Sequence, residues 1–271
     1  MKVSGMERTS NYVILIVFSL IVMAPIFTIL TTAVAPASAS AARQGAFHPS
    51  NFIEAWQEGR FGQYMGTSVL VAIIVVSLTV VLSVLSGYAF GTMSFKGEQV
   101  LFYVFLLGIM IPAEAIVVPL FFDLRSLGLT DTIWAVAFPQ IAQSVAFGTY
   151  WMRTYFKSVN PSIIDAARMD GASPQRLLWS ILVPMGRPAI TTMVVLVFMW
   201  TWNEFLIPLV MSPTGAFRTA PLGLAFFQGQ YTQGTALLAA GAVLVALPVV
   251  VLYFVLQRHF IRGMLEGAVK E

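Results

Sequence analysis

Few side chains in this 271-residue chain are placed to do chemistry, and the chemistry open to them is narrow. There is no cysteine, which removes disulfides, thiol nucleophiles, iron–sulfur clusters and Cys-ligated zinc. The two histidines, His48 and His259, stand far apart and on no metal-ligand spacing. No Ser/His or His/Asp constellation converges. No G-x-x-x-x-G-K-[ST] phosphate loop is present, so any ATP the protein depends on is bound elsewhere. What remains are polar groups within apolar stretches: Glu114, Gln140, Gln143, Asn203 and Glu204, with Trp200 and Trp202 beside the last two. At membrane depth such groups are costly and face a cavity or a neighbouring helix. Amides and aromatic faces suit a neutral, hydroxylated solute. An anion would want a fixed positive charge or helix N-termini, and no Lys or Arg lies in the middle of an apolar stretch. A plainer role stays open for each, Trp as interfacial anchor, Asn or Gln as a bond between helices, Glu204 as a structural or gating group.

Membrane helices must hold these positions. Hydrophobic residues make up 58% of the chain and charged residues 10%, against about 25% charged in soluble domains, so the chain reads as an all-α integral membrane protein. A span needs about 20 mainly apolar residues. Six stretches supply them, near 12–35, 67–93, 100–124, 132–152, 187–211 and 234–257, within one transmembrane domain over 1–271. Of the 15 Lys and Arg residues, only Arg43, Arg60, Arg125 and Arg218 fall on one side of this topology. The positive-inside rule puts the other side, with both termini, in the cytoplasm. The first stretch ends in Ala35-Pro36-Ala37, as a cleaved leader does, yet it runs from Tyr12 to Ala35. That exceeds the about 7–15 apolar residues of a leader, so it is expected to remain as a span. Ser83, Gly87 and Gly91 recur every four residues and predict a close helix approach. Pro112, Pro119, Pro139, Pro208 and Pro248 predict bends or freed carbonyls.

Between the fourth and fifth stretches, Asn160–Pro184 is a polar island predicted to form two short helices broken at Gly171. Asn160 caps a helix whose first residue is Pro161, and Ser173 caps a second that begins at Pro174 and runs to about Val183. Asp170 closes the first helix, where an acid opposes the macrodipole by about 0.3–1 kcal/mol, so the helix itself does not account for it. Ala166 and Ala167 leave one side shallow, while Ile163, Ile164 and Met169 supply apolar bulk. Helix signals alone leave two readings, a docking helix or a re-entrant turn at the headgroups.

The order Asp165-Ala166-Ala167, three residues, Gly171, nine residues, Ile181, one residue, Val183-Pro184 resembles the E-A-A-x3-G-x9-I-x-L-P signature of ATP-binding-cassette (ABC) importer permeases. Asp165 replaces the usual Glu and Val183 the usual Leu. Trp202-Asn203-Glu204-Phe205 resembles a segment in the fifth span of the carbohydrate permeases of that class, and Gln257–Gly263 is similar to their tail. The resemblance covers most of 60–271 and is weakest over 36–60. It implies a type I (MetI-like) ABC importer permease with six transmembrane helices and a cytoplasmic coupling-helix loop. Asp165, Ala166, Ala167, Met169, Asp170 and Gly171 would meet an ATP-binding subunit, and Gln140, Gln143, Trp200, Trp202, Asn203 and Glu204 would line the substrate pathway. It further implies no catalytic residue, metal or cofactor on this chain, with ATP and Mg on the partner subunit. The implied partners are a second permease subunit in a heterodimer, two ATP-binding subunits, an extracytoplasmic solute-binding protein and membrane lipid, with no nucleic acid. The location would be a bacterial inner membrane, and the cargo a sugar or oligosaccharide.

Residues 36–66 and 212–233 are the sizeable outer loops, and Asn51–Glu58 is expected to be a short interfacial helix. An ion-coupled secondary transporter of a neutral solute is the alternative, with Glu114 and Glu204 as proton or sodium sites. Against it, residues 1–125 and 126–271 show no clear repeat. A membrane-embedded enzyme lacks any convergent cluster.

Overall fold

A computed structural model describes the backbone of residues 5–36, 47–228 and 234–268, and every regular element among them is a helix. The main helices are α1 (Gly5–Ala33), α2 (Asn51–Glu58), α3 (Phe61–Thr92), α4 (Glu98–Met110), α5 (Ala113–Ser126), α6 (Ile133–Ser158), α7 (Pro161–Met169), α8 (Pro174–Met185), α9 (Arg187–Asn203), α10 (Leu206–Met211) and α11 (Thr235–Ala268). Arg43, one of the four cations that the charge count assigns to the other side, lies outside the described residues.

The six apolar stretches are all helical, but the count of six is approximate. α1, α3 and α11 each have the length and apolarity to cross a membrane, and two bent pairs, α4 with α5 and α8 with α9, raise the number to five. The stretch 132–152 falls on α6 and its N-cap Thr132 and falls short of that apolarity, because Gln140, Gln143, Ser144 and Thr149 interrupt it. Nor is 100–124 one rod: α4 and α5 meet at 98°. Pro112 disfavours the helical conformation at the residue before it, and Ile111 is extended (φ −78°, ψ 118°). The stretch 187–211 is broken at Glu204-Phe205, where Glu204 is extended (ψ 124°). A continued helix would drive the ring of Pro208 into the Glu204 carbonyl four residues back.

The chain forms two compact units, one of Met1–Gln63 with Gly223–Leu247 and one of Tyr64–Leu222 with Pro248–Glu271. In the first, the side-chain amide of Asn51 donates to the carbonyls of Ala33 (2.9 Å) and Ala35 (2.8 Å). This satisfies acceptors that the end of α1 leaves open. Phe61 is fully buried and stacks on Phe227 at 6.4 Å, and Gly241 lets both that ring and Leu224 approach.

The second unit is built on a close crossing of α3 and α6. A Cβ added at Gly87 would lie 2.5 Å from the Cβ of Met152, and one at Gly91 would lie 2.6 Å from the Cβ of Phe156. From the α6 side, Gly148 admits the hydroxyl of Ser83. Met152 and Phe156 are buried at this seam, and the hydroxyls of Ser86 and Thr149 bond across it at 2.7 Å. Arg153 ties the seam to α4: its Nε donates to the Phe90 carbonyl (3.2 Å), its guanidinium lies 3.8 Å from the Phe102 ring centre, and it pairs with Glu98 at 3.9 Å. The Phe90 carbonyl is one of the last acceptors of α3, so the arginine caps that helix.

Gly87→Val should cost about 1–3 kcal/mol by overpacking this seam, read as a lower unfolding midpoint in detergent. Gly66→Ala, with open space around its Cβ position, should leave the midpoint unchanged or raise it.

Candidate functional site

The polar island folds as two helices joined by a left-handed glycine. The side chain of Asn160 accepts from the amide of Ser162 at 3.0 Å, and that of Ser173 accepts from the amide of Arg176 at 3.3 Å. Between them Gly171 has φ +76°. Its amide donates to the Arg168 carbonyl (3.0 Å), and the amide of Ala172 donates to the Ala167 carbonyl (2.9 Å). This pair of bonds is the Schellman ending, which wants glycine in the left-handed position.

The sequence treats Ala166 and Ala167 as one shallow side, but the structure divides them. Ala167 is buried and joins the cluster that contains Leu177, Leu178 and Leu182. Ala166, Asp165, Met169, Asp170 and Gly171 are exposed, Met169 to 87%. Asp165 pairs with Arg168 at 3.8 Å across an exposed turn, a contact worth well under 1 kcal/mol. The outward face of α7 therefore mixes charge with an apolar side chain that nothing among the described residues covers.

α8 is wider than the sequence predicts. Its middle, Leu177–Leu182, is π-helical, and the widening precedes Pro184, whose ring would clash with the Ser180 carbonyl in a regular turn. Two bonds from α6 then hold the 76° elbow between α8 and α9. The hydroxyl of Tyr155 donates to the Leu182 carbonyl and the indole of Trp151 donates to the Ala189 carbonyl, each at 2.9 Å. Gly186 sits beneath the Tyr155 ring, where a Cβ would come within 2.6 Å of it.

A second cluster gathers the polar groups of the apolar stretches. A cavity of about 270 Å³ is lined by Ile109, Gln140, Gln143, Ser144, Phe147, Trp200, Thr201 and Glu204. An adjoining space of about 640 Å³ adds Glu114 and Asn203 and shares Gln143, Trp200 and Glu204. Five of the six pathway residues named from the sequence thus line one region. Trp202 does not: it is 2% exposed and stacks on Phe198 at 5.4 Å. Trp200 turns the other way and meets Phe147 edge-on at 4.8 Å. Asn203 donates to the Met199 carbonyl at 2.8 Å, and Glu204 accepts through Oε1 from the Ile207 amide at 3.0 Å, opening α10. Sequence reasoning missed Ser144, Phe147 and Thr201. Helical spacing held the signal, since Gln140, Gln143, Ser144 and Phe147 fall at i, i+3, i+4 and i+7 of one face.

In the loop before α6, Asp131 takes a left-handed conformation (φ +58°). Its Oδ1 accepts from the hydroxyl of Ser212 (3.2 Å) and from the amide (3.1 Å) and hydroxyl (2.7 Å) of Thr214. The loop before α6 is thereby fastened to the loop after α10.

Several helices with the length and apolarity to cross a membrane, a polar-lined cavity between helices, and an uncovered helix on a loop define a membrane transport component. Residues 80–266 match the family described as binding-protein-dependent transport system inner membrane component, and the chain belongs to that family. It is 32% identical over 224 residues to the probable ABC transporter permease protein YurM of Bacillus subtilis, covering 83% of this chain and 74% of that protein. It is 34% identical over 221 residues to the arabinooligosaccharides transport system permease protein AraQ of Halalkalibacterium halodurans, covering 81% and 78%. Among solved structures, a bacterial ABC transporter involved in import of the acidic polysaccharide alginate superposes with a TM-score of 0.75 over 96% of this chain and 99% of that one, at 24% identity. That likeness shows the fold.

Glu204→Ala should cost about 1 kcal/mol through the lost bond to the Ile207 amide. Glu204→Gln, which keeps an acceptor there, should unfold close to the wild type in the same thermal melt.

Proposed function

We propose that this chain is the permease subunit of an ATP-driven importer and forms half of the path for a neutral sugar or oligosaccharide. The observation that carries the reading is α7, a capped helix that ends at a left-handed glycine and presents Asp165, Ala166, Met169 and Asp170 outward. An exposed apolar residue on a short amphipathic helix fits a groove on another protein. In this reading the occupant of that face is a cytoplasmic ATP-binding subunit, which supplies ATP and Mg. Two such subunits, a second permease and an extracytoplasmic solute-binding protein complete the assembly, within one transmembrane domain whose termini are cytoplasmic.

The chemistry of the cargo follows from the cavity. Amides from Gln140 and Gln143 and rings from Phe147 and Trp200 face it, and among the described residues no Lys or Arg lines it. Oligosaccharide transport by the relative AraQ agrees with that chemistry. Closure of the ATP-binding subunits pushes α7 of the two permeases together and turns the helices outward-open. The solute enters from its binding protein, and hydrolysis resets the cycle.

The test is a mild-detergent purification from the host, with co-eluting proteins identified by mass spectrometry. The wild type should carry an ATP-binding subunit. Met169→Asp and Gly171→Val should lose it and abolish uptake while remaining in the membrane, since a charge meets the apolar groove and a β-branched residue resists φ +76°. Recovery of the chain alone, with uptake that survives ATP depletion and collapses with an ionophore, would transfer the function to an ion-coupled carrier.

A further inference from the structure

Trp151 and Tyr155 lie one turn apart on the same face of α6, and they bond opposite sides of the elbow at Gly186. The Tyr155 hydroxyl donates to the carbonyl of Leu182, the last residue of the π-helical segment, and the Trp151 indole donates to the carbonyl of Ala189 in the first turn of α9. The Leu182 carbonyl already accepts from the Gly186 amide at 2.8 Å, so the hydroxyl takes its second lone pair.

The elbow has a gap in its own backbone ladder. Pro188 carries no N–H to give to the Pro184 carbonyl four residues back, so the helical bonding lapses where α8 meets α9. Such a joint bends easily unless side chains hold it. Its place in the chain makes that stiffness useful. On one side, α8 contributes Leu177, Leu178 and Leu182 to the buried cluster that Ala167 of α7 joins. On the other, α9 carries Thr201 and leads into Glu204, both on the cavity wall. A movement of α7 reaches that wall in full only if the angle between α8 and α9 is kept.

We infer that Tyr155 is a coupling residue of the importer: its hydroxyl, held on the Leu182 carbonyl, keeps the angle through which movement of the α7 face is passed to the cavity wall. Tyr155 is a positioning residue, because it acts through Leu182 and does not line the cavity. The inference rests on the ATP-driven importer reading and adds to it the bond that makes ATP hydrolysis productive.

The test uses the whole importer, with its partner subunits and binding protein, in proteoliposomes supplied with ATP. Uptake of trehalose, maltotriose and arabinotriose identifies the working solute, and the quantity read is solute moved per ATP hydrolysed. Tyr155→Phe removes the bond and keeps the ring, which rests against Gly186 and on Phe156 at 5.1 Å. This variant should keep the ATP-binding subunit and its ATP hydrolysis, while the ratio falls by about threefold or more, the shift expected in a two-state joint that loses one hydrogen bond. Thr149→Val is the control, since it removes a hydroxyl bond of similar length between α6 and α3, away from the elbow. Its ratio should match the wild type. An unchanged ratio in Tyr155→Phe would overturn the inference, and so would an equal fall in Thr149→Val, which would mean that any softening of this unit lowers the ratio. A Tyr155→Phe chain that no longer assembles with the ATP-binding subunit would assign the bond to the fold alone and would overturn it too. A wild type that moves none of the three sugars, or moves one without ATP, overturns the importer reading itself, before any variant is compared.

Discussion

The larger unit depends on two backbones approaching more closely than side chains normally permit. At Gly87, Gly91 and Gly148 the surfaces of α3 and α6 have no Cβ to hold them apart, and Met152, Phe156 and Ser83 fill the vacated space. Within a bilayer lipid tails are as apolar as leucine, so helices gain little from hiding apolar surface from one another. Tight packing and hydrogen bonds between helices supply the association instead. The bond between Ser86 and Thr149 and the reach of Arg153 to Phe90 and Glu98 are those bonds here. With its position fixed on one side by α3, α6 offers its remaining faces to α4, α9 and α10 and to the cavity.

The helix interruptions follow from the same shortage of partners. A break in a membrane helix exposes amides and carbonyls that lipid cannot satisfy. One break here brings a substitute, and side chains add bonds at two other points. Glu204 accepts from the Ile207 amide where α9 gives way to α10. The Leu182 carbonyl, beside the π-helical turn, receives the Tyr155 hydroxyl. The Asp131 carboxylate receives three donors between the loops before α6 and after α10, one of them a backbone amide.

Much of this was legible in the sequence where the cause is local. Asn160, Pro161, Gly171, Ser173 and Pro174 specify caps and a stop through their own backbones, and the structure places each of them so. The small residues of α3 pointed to a close partner, and α2 has the bounds its pattern predicts. The angles were not legible. Pro112 announces a break but not one of 98°, because the turn is set by what α4 and α5 pack against. The same holds for the two tryptophans. Trp200 and Trp202 sit two apart, which places them about 200° apart around a helix, and their composition alone gives no means of telling the cavity side from the core side. α6 was assigned by length and apolarity, yet its polar residues make it the least lipid-like of the six stretches.

The fastening of α8 and α9 to α6 gives the elbow at Gly186 the mechanics of a bell crank. One arm is α8, which follows α7; the other is α9, whose last turn carries Thr201 and leads into Glu204 on the cavity wall. The Tyr155 and Trp151 bonds grip the arms on either side of the pivot, and the bare backbone of Gly186 lets the Tyr155 ring sit against the fulcrum. In the proposed importer, a load applied to the exposed face of α7 would be turned through the elbow rather than absorbed there, and would reach the cavity as a sideways displacement of its wall.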